Sequence, residues 1–264
     1  MLRYDFQGST KVLTATTAET ITFSGNEIQG QGVRAFFFSM TGTDDDYDTI
    51  VRLRAKAGGV TFWDVDEVHH KALVQRLAPS NFDFANADVS WTLPLYNLNA
   101  PKDATRWVLG FPTGQVPTLE VQKDATGAVG TLACGWLYDD QNLPSAYPYF
   151  VGTPANCAAS QTNFWAPFSA PGFVKAITIN TTGLTSARVL LNGVQILMLS
   201  GALLTQAQMV ENSDVDVDPL AIVFEDPLPA PSGNSGVYLT TAAAWAGVAN
   251  EIGVYAIVPL AAAA

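Results

Sequence analysis

The chain is poor in the residues that do chemistry. Its 264 residues include two histidines and two cysteines. His69 and His70 are adjacent, and neighbours on a helix point about 100° apart, so they are badly placed to share one metal ion. There is no His-Glu-x-x-His, no Gly-x-Ser-x-Gly, no Gly-x-x-x-x-Gly-Lys and no Cys-x-x-Cys. The usual zinc-peptidase, serine-hydrolase, phosphate-loop and thiol-redox signatures are thereby missing, and neither histidine has the partners a triad needs. No catalytic or cofactor-binding residue is assigned, and the chain is not expected to be an enzyme. The histidine pair reads as a half-exposed pair on a helix.

Charge is also scarce, at 14% of residues, and it is unbalanced: 13 Lys and Arg against 24 Asp and Glu, a net charge of −11. Such a chain lacks the basic footprint of a direct nucleic-acid binder and the basic patch that anionic lipid attracts. No long apolar run is convincing as a span. Residues 189–210 carry no charge, but they hold Asn192-Gly193, Gln195, Gly201, Gln206 and Gln208, which suit a lipid-crossing helix poorly. The opening MLRYDFQGST has no apolar core of a secretory signal. Cys134 and Cys157 lie far apart in different halves and read as buried or indifferent thiols, as expected of a protein made in a reducing cytosol.

What the chain does have is β-forming sequence. Apolar residues make up 48%, with 21 glycines and 15 prolines scattered without period, and Thr, Val, Ile, Phe and Trp recur in short runs. It also has a repeat. VRAFFFSMTG (Val33 to Gly42) aligns without a gap to VKAITINTTG (Val174 to Gly183), 141 positions on, with Arg34 answered by Lys175. Beyond this, the acidic turn TDDDYD in the first copy is matched by a shorter turn, and the offset falls to 134. Gly58-Gly59 and Asn192-Gly193 then divide strand-like runs in the two copies. Both dipeptides suit a two-residue hairpin, whose central positions need positive φ.

Asp66 and Ser200 follow as helix N-caps, leading into DEVHHKALVQRL and SGALLTQAQMV. In the first helix Leu73 and Leu77 share a face; in the second, Leu203, Ala207 and Val210 do. Each copy thus reads strand, turn, strand, glycine hairpin, strand, short capped helix. Further strands are expected at 19–25, 87–97, 116–123, 128–139, 213–226, 236–241 and 252–260. The stretch 142–171 holds Pro144, Pro148, Pro154, Pro167 and Pro171 and reads as a boundary without a continuous central strand. The fold class is all-β: two tandem jelly-roll sandwiches, 1–142 and 143–264, each with a short helix after its first strands.

Two acidic clusters offer hard oxygen ligands of the kind calcium takes. Asp44, Asp45, Asp46 and Asp48 crowd a turn, but without the glycine and distal glutamate of an EF-hand; a solvated turn fits them better. Asp214, Asp216 and Asp218 alternate with Val215 and Val217, which is the ordinary pattern of a half-buried strand. Whether a metal binds is left open. The six tryptophans (Trp63, Trp91, Trp107, Trp136, Trp165 and Trp245) are spread along the chain and read first as core, although aromatics could also form a sugar-stacking platform.

The paired signature at Val33–Leu77 and Phe173–Asn212, including ARVLLNG before the second helix, resembles the double jelly-roll major capsid proteins of tailless icosahedral phages. In size the chain is similar to the corticovirus and finnlakevirus versions. The resemblance implies a homotrimer of pseudo-hexagonal outline that packs with neighbouring trimers into a virus shell. It further implies contact with minor capsid or vertex proteins, indirect contact with an internal membrane, no cofactor, and assembly in the host cytoplasm into the virion. One departure is the lack of a basic N-terminal arm, which leaves inner contacts to residues such as Arg3 and Lys11 or to partner proteins. A two-sandwich carbohydrate-binding or phage spike protein is the alternative.

Overall fold

The computed structural model describes residues 2–13, 19–25, 29–42, 50–66, 69–70, 72–73, 82–83, 88–94, 109–111, 114–123, 130–139, 144–154, 162–180, 183–204, 219–229, 231, 233–242 and 251–260. The chain divides into two compact units, Met1–Pro148 with Val258–Ala264, and Tyr149–Ile257.

The first unit contains β1 (Leu2–Leu13), β2 (Glu19–Ser24), β3 (Gly32–Gly42), β4 (Ile50–Ala57), β5 (Val60–Asp66), β6 (Phe82–Asp83), β7 (Asp88–Pro94), β8 (Pro117–Lys123) and β9 (Gly130–Asp139). One sheet runs β1-β9-β3-β7, with the two-residue β6 added beside β7; in the other, β2, β8, β4 and β5 lie side by side. The second unit holds β10 (Ala146–Pro154) from Tyr149 onward, then β11 (Asn163–Pro167), β12 (Phe173–Asn180), β13 (Leu184–Leu191), β14 (Val194–Ser200), β15 (Pro219–Leu228), β16 (Gly236–Thr241) and β17 (Glu251–Pro259) as far as Ile257. Here β10, β17, β12 and β15 are neighbours in one sheet, and β11, β16, β13 and β14 form the other.

Setting β6 aside and numbering the strands of each unit first to eighth gives the same permutation twice. One sheet is first-eighth-third-sixth and its companion is second-seventh-fourth-fifth. This is the eight-stranded, double Greek-key arrangement of a jelly roll. Alternation builds each sandwich: β8 buries Pro117, Leu119, Val121 and Lys123 and turns Thr118, Glu120 and Gln122 outward. Similarly, β13 buries Ala187, Val189 and Leu191 while Arg188 and Leu190 stay half-exposed. The second core joins these to Ile177, Ile179, Val237, Leu239, Ile252 and Val254.

The likeness extends to irregularities. The third strand of each unit slips register at one residue, between Val33 and Ala35 in β3 and between Val174 and Ala176 in β12. The matched cations Arg34 and Lys175 therefore occupy the same β-bulge. The hairpins agree as well. Arg52 pairs with Asp66 in β4–β5, as Ser186 pairs with Ser200 in β13–β14, and the pairing skips Phe62 in one and Ile196 in the other. All of these positions differ by 134. The turns have φ of 57° and 81° at Gly58-Gly59, and 52° and 81° at Asn192-Gly193. Two successive positive φ values are what a hairpin turn following the strand twist requires.

The helices begin where the capping argument puts them. The Asp66 carboxylate accepts a hydrogen bond from the His69 amide at 3.1 Å, the N-cap geometry, and residues 69–70 and 72–73 are helical, as are 201–204. Three expectations need correction. His69 and His70 are fully buried, not half-exposed. The second helix buries Leu204, while Leu203 is 61% exposed, because the chain enters the helix one residue out of phase with the expected stripe. The proline-rich stretch carries β10 and β11; Pro154 and Pro167 end those strands, Pro148 is the third residue of β10, and Pro144 and Pro171 lie outside both strands, where the missing donor costs no ladder bond. Leu77, Ala207 and Val210 lie outside the described residues.

Candidate functional site

The residues with the most chemical potential are placed for structure. His70 is edge-on to Trp63, with ring centroids 6.4 Å apart, and burial lowers its pKa from 6.5 to about 3, so the imidazole is neutral. His69 Nε2 lies 3.8 Å from Asp66 Oδ1. Cys134 is a free thiol buried in β9, and burial pushes its pKa upward, away from the reactive thiolate. Trp63 and Trp136 are core residues. Cys157, Trp107, Trp245 and both acidic clusters (Asp44, Asp45, Asp46, Asp48; Asp214, Asp216, Asp218) lie outside the described residues. A pocket of about 150 Å³ in the first unit is lined by Phe62, Phe111, Tyr147 and Leu260, with Gln115 at its side. Its walls are mostly apolar, and burial raises the Tyr147 pKa.

The outward faces of the second-seventh-fourth-fifth sheets are more informative. In the first unit a cross-strand row reads Thr22, Glu120, Arg54, Asp64 across β2, β8, β4 and β5. Arg54 reaches Asp64 at 3.2 Å and Glu120 at 3.7 Å. Arg52 joins Asp64 at 2.5 Å and Lys56 joins Glu120 at 2.8 Å. Three cations and two carboxylates thus form one half-exposed network, each pair worth about 0.2–1 kcal/mol at such exposure.

The corresponding row of the second unit reads Trp165, Tyr238, Arg188, Met198 across β11, β16, β13 and β14. Arg188 stands 134 residues after Arg54, and Met198 stands 134 after Asp64. The central arginine recurs, but its partners have become aromatic and apolar. The Arg188 guanidinium lies 4.5 Å from the Tyr238 ring centre, a cation–π contact, and the Trp165 and Tyr238 rings are 4.5 Å apart at 41°. Gly236 makes room for this stack, since a Cβ there would come within 2.5 Å of both the Trp165 ring and the Ala166 carbonyl. Met198, Ile196 and Tyr238 are 51%, 37% and 39% exposed. Trp165, expected in the core, is instead half-buried on this outward row. The 134-residue offset that pairs Arg54 with Arg188 was the signal that leads to it.

No family model matches the chain, and no curated protein matches it. Solved structures do. The fold is similar to that of the major capsid protein of Bacteriophage PM2, with a TM-score of 0.70 and 13% identity over 100% of this chain and 99% of that one. The STIV MCP gives 0.67 and 13%, covering 97% and 96%. A chain from the atomic structure of Sulfolobus Turreted Icosahedral Virus gives 0.67 and 15%, covering 97% and 90%. The chain therefore shares, end to end, the double jelly-roll fold of these viral coat proteins.

Proposed function

We propose that the chain is a structural capsid protein whose work is done by shape and interfaces. One observation carries this reading: both units repeat one strand permutation, and the whole chain overlays whole capsid proteins with almost nothing left over on either side. A duplicated unit suits a shell subunit for a geometric reason. Two similar sandwiches per chain and three chains per ring present six similar edges, which lets a trimer tile like a hexamer. Closed rings of this kind arise from heterologous contacts between identical copies.

In this reading the chain forms a homotrimer and packs against neighbouring trimers, with minor capsid or vertex proteins completing an icosahedral particle. The duplicated unit breaks at 142/143. The excess of acid keeps the subunit off the genome, and contact with an internal membrane is indirect. Assembly takes place in the host cytoplasm and the final location is the virion. The test is negative-stain microscopy of a particle preparation in which the 28.1 kDa band is identified by mass. Icosahedral particles built mainly of this band support the reading. A chain that never enters particles, and instead binds a glycan column as a monomer, favours the carbohydrate-binding alternative.

A further inference from the structure

The outward face of the β11-β16-β13-β14 sheet has one polar row, Asn163, Thr240, Ser186 and Ser200, and one row built unlike a solvent surface. Its central row sets a tryptophan, a tyrosine, an arginine and a methionine side by side. These residue types are enriched where protein partners bury each other's surfaces. The strand at its margin, β14, has the sequence VQILMLS, and Val194 and Met198 are 64% and 51% exposed. It holds no charge and no proline, the devices that keep exposed edges from pairing with other chains. Among the described residues, no strand pairs with its outer edge. The matched row of the first unit is neutralised within the chain, by Asp64 and Glu120 around Arg54.

The occupant follows from charge. A partner that covers this row takes the Arg188 guanidinium out of water, and such a cation needs a carboxylate. A second copy of this chain supplies carboxylates in excess, 24 acids to 13 bases. We propose that the Trp165–Tyr238–Arg188–Met198 row and the β14 edge dock onto an acidic surface of a second copy of this chain, with Tyr238 and Arg188 as the centre of the contact. The contact is heterologous, because the row itself carries no carboxylate to answer its own arginine. This inference rests on the capsid reading and names the surface through which copies meet.

The test places a photo-crosslinking amino acid at Met198 and, separately, introduces Arg188→Glu. Met198→Asp serves as a second disrupting variant and Asp64→Asn, in the matched row of the first unit, as the control. Circular dichroism melting confirms that each variant is folded. The expected result is a covalent dimer from position 198, and a sedimenting species that falls from oligomer to monomer, at least tenfold weaker in association, for Arg188→Glu and Met198→Asp but not for Asp64→Asn. A wild-type oligomer that keeps its mass in both disrupting variants and gives no self-crosslink overturns the docking face while leaving the capsid reading intact. Crosslinks only to another protein, to lipid or to a glycan also overturn it. A wild type that is monomeric and enters no particle removes the capsid reading itself, and this inference with it.

Discussion

Two rows of side chains occupy the same place in two copies of one fold. In the first unit Arg54 sits between Asp64 and Glu120; in the second Arg188 sits between Met198 and Tyr238. Backbone pairing, hairpin turn and bulge are alike around both, and surface chemistry is not. The difference separates what the fold requires from what each surface is for. The permutation of strands, the positive-φ turn and the alternation of buried residues recur because a sandwich does not close without them. The outward row has no such constraint, so it is either balanced internally, as around Arg54, or left with apolar and aromatic neighbours that suit another molecule.

The same comparison works beneath the surface, and it can be broken there most severely. Trp63 and Leu197 stand 134 residues apart, each opposite the fourth strand of its unit. Trp63 is completely buried, whereas Leu197 only partly covers its core. Trp63→Ala is expected to cost about 3–5 kcal/mol, and Leu197→Ala about 1–2 kcal/mol, since less of its area leaves water. Urea unfolding checks both, and equal losses would refute the claim that the two hairpins are unequally buried.

A second contrast is set by pH. The count of 134 that joins the hairpins also joins His70 to Leu204, both buried at the start of their helices. With its pKa near 3 against 6.5 when unfolded, His70 binds fewer protons in the folded chain over that interval. Its contribution to stability is complete above pH 6.5 and is lost as pH falls toward 3, at roughly 1.4 kcal/mol per pH unit. His70→Leu, which installs the second unit's residue, is expected to remove that share of the acid sensitivity. The measurement is the difference in unfolding free energy between wild type and variant from pH 7 to pH 4.5. A difference that stays constant with pH contradicts the assignment.

The turns supply a contrast that should vanish. Gly59 and Gly193 both have φ of 81° with no neighbour crowding the missing side chain. Gly59→Ala and Gly193→Ala are each expected to cost about 1–2 kcal/mol through backbone strain alone, and thermal melts should show similar losses. The smallest effect belongs to the charged row. Glu120→Gln should cost about 0.2–1 kcal/mol, a loss that fades in high salt as exposed pairs are screened, whereas Tyr238→Phe should show no comparable salt dependence.

Much of this fold was legible in the sequence because turns and caps are local. Asn192-Gly193 and Gly58-Gly59 announce positive φ, and Asp66 announces a helix start, without reference to anything distant. The repeat converted these signals into an architecture. What stayed hidden depends on tertiary neighbours. β1 was missed because the polar run from Gln7 to Lys11, where its register slips, breaks the alternation. β10 and β11 were masked by prolines, of which Pro148 lies within β10 and the others at the strand ends or outside them. His69 and His70 looked solvent-tolerant because polarity was read in place of burial, and nothing local says that Trp63 packs against His70. Trp165 and Tyr238 lie 73 positions apart and meet only through β11–β16 pairing, so their stack was not visible in either segment alone.

The proposed capsid role requires the chain to assemble with copies of itself. Sedimentation equilibrium of the purified chain at micromolar concentration is then expected to show a species of three times the 28.1 kDa chain mass. A single species at 28.1 kDa across the whole concentration range would rule that assembly out.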